Sequence, residues 1–546
     1  MSSPPKSTSS IFPLGQPAAA ALLMGKSISR EDLFKYTNGR FLTEEEPQFS
    51  RRYVRFDLNQ LCNVVGSISG DRSSVSKIEK MEGGFSKALL MTTAAGSQYI
   101  VKIPCPNAGR RMYCTASEVA VLDLIRTRTS IPVPKVLAWS SDRNNVVGAE
   151  YIVMERVPGV QIFKKWEGMG ESNRISFIKG LTQWEHELSK IEFPAYGSLY
   201  YKSFLTDSEM IALDPSIDPA GKFCIGPSCD PSWLTQLGNQ PLPAIHCGPW
   251  RTLSDMGNSL IARSLCKVTQ KPNLQLPRFI YGSPEHHSSV LKIAKDAMPA
   301  LANSPKILAN SQPSIWHTDL HIGNIFVSED DPGNVTGLID WQNTSISPLF
   351  LQVRWPVFLR PPDDYQEVQV MPALPPGFDD MDYEEKEHAL FKKAKATWTK
   401  AYEMATFLND RKAWRAMQVP SPFKEMFRRC GTTWDEGCLP LQETLIELFQ
   451  GQEELGLPRE SLSLSFTDDQ IVQHRREFEA YEEWHSMCTF VKEILDTDAD
   501  GWIAPERDLV EMRSRNMMLF EYYVSKLAAT KSSDHVRMLW PFTLRT

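Results

Sequence analysis

The segment His317-Thr-Asp319-Leu-His-Ile-Gly-Asn324 is the most informative part of the chain, together with Leu-Ile-Asp340-Trp-Gln, whose aspartate comes sixteen residues after the asparagine. Asp319 supplies a carboxylate that can orient or deprotonate a hydroxyl. Asn324 and Asp340 supply an amide oxygen and a second carboxylate, which are ligands that Mg²⁺ accepts beside phosphate. A His-x-Asp triplet alone occurs by chance in many chains, but the complete spacing is typical of kinase-type phosphoryl transfer.

A β-hairpin is predicted between the two motifs. Residues 325–327 and 335–339 have strand composition, and residues 329–334 form a polar turn that contains proline and glycine. Asn324 and Asp340 are equidistant from Pro332, the middle of that turn. An antiparallel hairpin centred there places the two side chains next to each other at its open end. We therefore predict one oxygen-rich pocket for a magnesium ion, with Asp319 on the loop that enters the hairpin.

A glycine turn lies upstream, where Gly83, Gly84 and Ser86 separate two predicted strands. Glycines let a turn approach a polyphosphate closely, with backbone N–H groups facing the phosphate oxygens. The alternative is an ordinary hairpin turn, because most Gly-Gly turns have no ligand.

Lys102 and Glu118 form a second upstream feature. The lysine lies in the apolar strand 99–103, where it is costly unless it is ion-paired or faces phosphate. The alternative is an edge-strand lysine that discourages aggregation. Glu118 lies on the predicted helix 115–125 and is the natural partner for Lys102. The sequence of residues 148–159 predicts a buried strand followed by a Pro-Gly turn.

In this order, the segments resemble the aminoglycoside phosphotransferase and choline kinase-like family, the small-molecule branch of the protein-kinase-like fold. More closely, they are similar to the fungal group named altered inheritance of mitochondria 9. The similarity covers roughly residues 30–520, with further landmarks at 33–40, 115–120, 131–136, 226–228 and 248–250. The resemblance implies an α+β, two-lobed protein-kinase-like fold. A small β-rich N-lobe would precede a larger, mainly helical C-lobe with a helical C-terminal extension.

The resemblance also implies roles for individual residues. Asp319 would be the catalytic base or would orient the acceptor hydroxyl, and His317 would mainly orient the catalytic loop. Asn324 and Asp340 would hold Mg²⁺. ATP would be bound by three groups of residues. The nucleotide loop comprises Gly83, Gly84 and Ser86, and Lys102 contacts phosphate while Glu118 holds it. The hinge backbone comprises Glu155, Arg156 and Val157. Thr318 replaces the glycine usual in bacterial aminoglycoside enzymes, and Ser86 replaces the asparagine common in the fungal group.

The sequence bears on two alternatives to a small-molecule kinase. A protein kinase would carry Phe-Gly and a long activation segment after the metal aspartate, whereas Asp340 is followed by Trp-Gln and, eight residues after it, by Pro348. A small-molecule acceptor is therefore favoured. The other alternative is a catalytically silent nucleotide-binding scaffold that acts in mitochondrial maintenance through partners. A scaffold has no need to keep Asp319.

Composition restricts the remaining function classes. The net charge of −7 gives no basic footprint for nucleic acid, and no apolar run is long enough for a membrane span. The ten cysteines lack zinc-type spacing and are interpreted as reduced thiols. The predicted partners are therefore ATP and a small-molecule acceptor.

Four regions are predicted along the chain: residues 1–30, 31–155, 156–375 and 376–546. The first is a disordered tail or a presequence, because it is rich in serine and has no acidic residue. Its prolines and its lack of arginines before Arg30 argue against a presequence, while the resemblance favours the mitochondrion over the cytoplasm. The second and third regions are the N-lobe and the C-lobe. The fourth is a helical C-terminal subdomain with long helices at 384–407 and 467–495.

Overall fold

The structure is a computed structural model, and it describes residues 20–23, 25–70, 72–233, 236–237, 240–241, 245–270, 281–363, 365–367, 370–457, 465–527, 532–542 and 544. Across these residues the predicted two-lobed α+β fold is confirmed. A seven-stranded mixed β-sheet is the centre of the N-lobe, and helices with small two- and three-stranded sheets form most of the remainder.

The N-lobe is built on a seven-stranded sheet. In spatial order its strands are Lys26–Ser27, Ala20–Leu23, Val75–Glu82, Ser86–Thr93, Gln98–Pro104, Tyr151–Glu155 and Val136–Ser140. The strand Ser86–Thr93 alternates strictly between buried and half-buried positions, because successive side chains of a strand point to opposite faces. One face packs on the helix Leu58–Ile68, and the other packs on the helix Tyr113–Arg128.

The predicted N-terminal tail needs correction. Ala20–Leu23 pairs in parallel with Val75–Glu82, with Ala21 opposite Ile78, and Lys26–Ser27 folds back onto it. The helix Arg30–Phe34 begins immediately afterwards, capped by Ser29. The strands Ala20–Leu23 and Lys26–Ser27 therefore form an edge of the N-lobe sheet. Residues 1–19, which carry most of the presequence prediction, lie outside the described part of the chain.

The C-lobe is mainly helical. Its helices are Phe163–Trp166, Glu171–Ser189, Leu253–Gln270, Pro284–Ala302, Pro305–Leu308, Leu349–Gln352, Tyr383–Asn409, Arg411–Met417, Ser421–Glu436, Leu439–Gln450 and Gln452–Leu455. Two of its small sheets have three strands: Ser198–Tyr201, Phe223–Gly226 and Ile211–Ala212 form one, and Val335–Leu338, Ile325–Val327 and Val160–Gln161 form the other. Two more have two strands: Pro313–Ile315 pairs with Ile346–Pro348, and Gln236–Leu237 pairs with Gln240–Pro241.

The predicted boundary at residue 376 is not a packing boundary. One hydrophobic core runs from Ala120 to Leu457, and the helix Tyr383–Asn409 packs directly on Glu171–Ser189. Tyr402 is fully buried there and donates a hydrogen bond of 2.8 Å to Glu185. The first part of the predicted C-terminal subdomain therefore belongs to the C-lobe.

The end of the chain packs against the N-lobe. The helices Asp468–Leu495, Leu509–Leu527 and Ser533–Leu539 enclose a separate small core that includes Leu42. The strand Trp502–Ile503 pairs with Arg40–Phe41. No described helix has the length and apolar content needed to cross a membrane.

Glu185 should make the stability of the C-lobe depend on pH. Burial raises the pKa of this carboxyl from its ordinary 4.5 to about 8. Between these pH values the Glu185 carboxyl stays protonated in the folded state but is ionised in the unfolded state. The contribution of Glu185 to the free energy of unfolding is therefore fully present below pH 4.5 and is lost as pH rises towards 8, by on the order of a few kcal/mol. We expect Glu185→Gln, which keeps a partner for Tyr402, to flatten the dependence of Tm on pH between 5 and 8.

Thermal unfolding followed by circular dichroism across this range measures the effect. Glu187→Gln is the matched control, since Glu187 lies on the same helix with its side chain at the surface against Ser130. Equal slopes for the native chain and Glu185→Gln would contradict the prediction.

Candidate active site

The catalytic-loop hairpin forms as predicted, with a register shift of one residue. Its strands are Ile325–Val327 and Val335–Leu338, and a β-bulge beside Val327 puts Ile325 opposite Leu338. The Ile339 N–H donates to the Asn324 carbonyl at 3.0 Å, so Asn324 faces Ile339 rather than Asp340. Asp340 follows one residue later in the left-handed region, at φ 63°. Next to the turn, Val327 pairs with Val335, two residues short of the pairing expected for a hairpin centred on Pro332. The bulge recovers one of these two residues, so a difference of one remains at Ile325.

Lys102 connects the two lobes. Its Nζ lies 2.7 Å from Glu118 Oε1 and 2.6 Å from Asp340 Oδ1. Burial alone would lower the pKa of Lys102, but the two carboxylates outweigh it and raise that pKa. Burial likewise opposes ionisation of Asp340, yet the ammonium holds the pKa of Asp340 below its usual value. Lys102 and Asp340 are therefore charged at neutral pH, whereas burial raises the pKa of Glu118. The sequence interpretation paired Lys102 with Glu118 and did not include the contact with Asp340.

His317 is positioned to hold the catalytic loop. Its Nε2–H donates to the Ile339 carbonyl at 2.9 Å, and its Nδ1 accepts from the Asp319 N–H at 3.2 Å. The buried ring also packs edge-on against Trp341. Burial lowers the pKa of His317, which favours the neutral ring. Since both nitrogens are occupied by backbone groups, the ring orients the loop and the hairpin end and has no nitrogen left for proton transfer.

Asp319 and Asn324 lie on the loop that His317 holds. The Asn324 Nδ2 donates to the Asp319 carbonyl at 3.0 Å, which leaves the Asn324 amide oxygen as its ligand atom. The Asp319 side chain is 66% exposed, with His321 Nε2 at 3.7 Å from Oδ2. Its carboxylate is therefore accessible to a bound hydroxyl.

The backbone of the glycine turn does not itself require glycine. Neither Gly83 nor Gly84 has a positive φ, and a Cβ on Gly84 would meet no atom within 4 Å. Open space therefore surrounds the turn at Gly84. Ser86 starts the next strand, opposite Pro104.

Arg52 is a site residue that the sequence interpretation missed. Its guanidinium donates to the Gly84 carbonyl at 3.1 Å, and its Nη2 lies 3.1 Å from Asp500 Oδ2. Asn107 donates to the same carbonyl at 3.2 Å. Arg52 therefore holds the glycine turn, and Asp500 of the C-terminal segment holds Arg52. No motif spacing connects these segments, so the sequence carries no signal for the contact.

The predicted hinge follows the strand Tyr151–Glu155. The Glu155 N–H donates to the Lys135 carbonyl at 3.0 Å and is not available to a base. Arg156 is exposed and donates to Gln98, while Val157 packs against the catalytic hairpin at Gly337. Recognition of adenine by the hinge therefore has to use groups other than the Glu155 N–H.

The oxygen donors fit a magnesium ion shared with phosphate. Asn324 and Asp340 offer one amide oxygen and one carboxylate, and Mg²⁺ usually takes one or two protein carboxylates together with substrate phosphates and water. Among the described residues no group of three or more His, Cys, Asp or Glu could hold a metal ion. Asn324 and Asp340 are the two candidate protein ligands for such an ion, and phosphate and water would supply the others.

The two lobes and the residues gathered between them define a kinase-like phosphotransferase fold. A model of the phosphotransferase enzyme family matches residues 274–351, which contain Asp319, Asn324 and Asp340. The predicted resemblance to the aminoglycoside phosphotransferase and choline kinase-like family is confirmed, and so is the similarity to the fungal group.

Curated relatives cover most of the chain. A subtelomeric hrmA-associated cluster protein of Aspergillus fumigatus is 28% identical over 458 residues, covering 78% of this chain and 88% of the relative. Altered inheritance of mitochondria protein 9, mitochondrial, of Lachancea thermotolerans is 22% identical over 554 residues, covering 87% of each chain.

Two solved structures are similar at low identity. The streptomycin–ATP–APH(2")-IIa ternary complex has a TM-score of 0.37 at 12% identity, covering 74% of this chain and 100% of that chain. The ADP-bound structure of aminoglycoside phosphotransferase APH(2'')-Ib has a TM-score of 0.35 at 15% identity, covering 74% of this chain and 100% of that chain.

Proposed function

We propose that this protein is an ATP- and Mg²⁺-dependent phosphotransferase that moves the γ-phosphate to a hydroxyl of a small molecule. The main support is the contact of Lys102 with both Glu118 and Asp340. It joins a buried N-lobe lysine to the end of the hairpin that also carries the catalytic loop. Asp319 and Asn324 lie at the start of the same hairpin, so candidate groups for phosphate, metal and acceptor converge at one cleft.

The chemistry assigned to the chain is positioning and charge neutralisation. Lys102 contacts the nucleotide phosphates while Glu118 holds its ammonium in place. The glycine turn covers the phosphates, and Asn324 and Asp340 hold Mg²⁺. When bound, Mg²⁺ neutralises charge on the phosphate oxygens during transfer.

Asp319 accepts a hydrogen bond from the acceptor hydroxyl and orients its oxygen for in-line attack on the γ-phosphorus. A new oxygen–phosphorus bond forms as the bond to the β,γ-bridging oxygen breaks, and ADP leaves. The hydroxyl proton passes to the Asp319 carboxylate and from there to solvent.

The names of several relatives bear on location and on a second candidate. Proteins of Lachancea thermotolerans, Scheffersomyces stipitis and Yarrowia lipolytica are named as mitochondrial proteins of altered inheritance of mitochondria. We propose a mitochondrial location for this chain on that basis. The same names favour, as the alternative, a nucleotide-binding scaffold that supports mitochondrial maintenance through partners without turnover.

Transfer of labelled phosphate from γ-labelled ATP into a cell metabolite extract tests the proposal. We expect a labelled product with the native chain and a decrease of at least about 100-fold with Asp319→Asn, because general acid–base contributions are of this size. Asp319→Asn should keep Mg²⁺-dependent ATP binding. Mass spectrometry of the product then identifies the acceptor.

Asp330→Asn is the matched control, since it changes an exposed aspartate in the turn at the far end of the same hairpin. Equal labelling by the native chain and Asp319→Asn would refute the role of Asp319. ATP binding without a labelled product would favour the scaffold.

A further inference from the structure

A cavity of about 390 Å³ lies beside the catalytic loop in the C-lobe. It is bounded by the helices Leu253–Gln270 and Ser421–Glu436 and by the chain that follows Leu349–Gln352. Its volume is within the range typical of small-molecule sites. Arg354 lines the cavity, and its guanidinium donates to the carbonyl of Thr318, the residue before Asp319. One lining side chain therefore reaches the residue that precedes Asp319, whose carboxylate would orient an acceptor.

Two cations on the cavity wall have no carboxylate partner. Within the described residues, neither Arg354 nor Lys424 forms an ion pair, and each donates to a backbone carbonyl, Lys424 to Met417 at 2.8 Å. Burial lowers the pKa of Lys424, and Glu367 opposes this only at longer range. A partly desolvated cation whose partner is a neutral carbonyl is electrostatically complementary to an incoming anion.

The other charged groups of the cavity neutralise one another. Glu425 lies 2.7 Å from Arg428 Nη2 and 2.9 Å from Arg429 Nε. Both arginines also pair with Glu436. Two carboxylates and two guanidiniums therefore cancel, and Glu425, the one acid on the wall, is already occupied. A polycationic acceptor would meet unpaired positive charge from Arg354 and Lys424.

The remaining wall is apolar and aromatic. The apolar and aromatic side chains that line the cavity include Leu260, Phe350, Trp355, Met417 and Phe427. Side chains of this kind bury an apolar body, while a few polar groups fix its orientation.

From this combination we propose that the cavity binds the acceptor through an anionic oxygen group, a carboxylate or a phosphate, carried on an apolar or aromatic body. Arg354 and Lys424 hold the anionic group, and the acceptor hydroxyl is presented to Asp319. This inference rests on the proposed function for the role of the site, but the binding it predicts is measurable without turnover.

The probes are phenyl phosphate, benzoate and benzylamine, which place a phosphate, a carboxylate or an ammonium on one aromatic body. Binding to the full chain is measured by ligand-observed NMR in the presence of saturating MgADP, so that the nucleotide site is occupied. We expect at least one anionic probe to bind and benzylamine not to bind. The stronger of the two anions distinguishes a phosphorylated acceptor from a carboxylic acid.

Arg354→Gln and Lys424→Gln should each weaken the anionic probe about tenfold or more, because each removes a charge-assisted hydrogen bond. Arg354→Lys should retain part of the affinity. Arg415→Gln is the matched control for Arg354, since Arg415 is also exposed and donates to a backbone carbonyl, that of Arg411 at 3.1 Å. Lys412→Gln is the control for Lys424, because Lys412 is an exposed lysine paired with Glu192 at 3.1 Å. Thermal unfolding confirms that each variant is folded.

Three results would each overturn the proposal. Benzylamine could bind more tightly than the anions, or neither anion could bind at about 10 mM, a concentration that detects even weak affinities. The third is anion binding that is unchanged in both Arg354→Gln and Lys424→Gln. MgADP binding is measured separately in the same samples. Its loss would contradict the proposed nucleotide site, whereas probe binding that depends on Arg354 and Lys424 would still support the anion site.

Discussion

Replacing Asp340 with alanine is expected to abolish Mg²⁺-dependent nucleotide binding and to lower phosphate transfer by at least about 10³-fold. Loss of the carboxylate removes one of the two proposed metal ligands, and metal neutralisation of a transferring phosphate is worth several kcal/mol. It also removes the contact of 2.6 Å that holds Lys102 between the lobes. Isothermal titration calorimetry of ADP with and without Mg²⁺ measures the binding, and γ-label transfer measures the activity.

Asp330→Ala is the control for this change, because it removes an exposed carboxylate from the turn of the same hairpin. Its metal-dependent affinity should match that of the native chain. The assignment of Asp340 to the metal fails if Asp340→Ala binds MgADP as tightly as the native chain and retains the difference between samples with and without Mg²⁺.

Replacing Glu82 with alanine is expected to destabilise the protein by about 3–5 kcal/mol, the usual cost of removing one partner from a buried ion pair. Glu82 lies 2.6 Å from Lys87 Nζ and 3.0 Å from Lys80 Nζ, and all three side chains are buried. It also accepts hydrogen bonds from the N–H and hydroxyl of Thr37, at 2.7 and 3.0 Å. Without the carboxylate, two buried ammonium groups have no counter-charge. Chemical denaturation measures the free energy of unfolding.

Glu79→Ala provides a matched comparison on the same strand. Glu79 pairs with Lys77 at 3.0 Å, but these side chains are 32% and 43% exposed, so the expected loss is below about 1 kcal/mol. A loss for Glu82→Ala as small as that for Glu79→Ala would contradict the buried-pair argument. Because Glu82 directly precedes Gly83, the variant also tests whether this cluster supports the glycine turn.

Local patterns were the part of the fold that could be predicted most directly. The helices predicted at 384–407 and 467–495 occur at Tyr383–Asn409 and Asp468–Leu495, and both begin with capping boxes, at Asp382 and Thr467. A capping box satisfies otherwise unpaired backbone groups with residues three positions apart, so it is encoded locally. The hairpin strands were predicted equally well, but the position of the turn was not: Val327 pairs with Val335 instead of Gly337, and the bulge reduces this difference to one residue at Ile325.

The domain boundaries were less predictable, because they depend on packing between distant segments. Proline-rich composition near residue 376 suggested a division, yet the following helix completes the C-lobe core against Glu171–Ser189. Serine- and proline-rich composition likewise suggested a tail up to residue 30, yet Ala20–Leu23 finds an open sheet edge beside Val75–Glu82. Composition describes how a segment behaves alone, and an available edge or groove can override it.

The sequence by itself determined the two-lobed class and the placement of Asp319, Asn324 and Asp340 around one hairpin, because their spacing lies within a single local unit. Only the tertiary structure decided that Lys102 bonds Asp340, 238 positions away, and that Asp500 holds Arg52 against the glycine turn across 448 positions. These contacts have no periodicity or fixed spacing in the chain. They arise because packing of the lobes and of the C-terminal segment brings charged groups into places where burial makes pairing necessary.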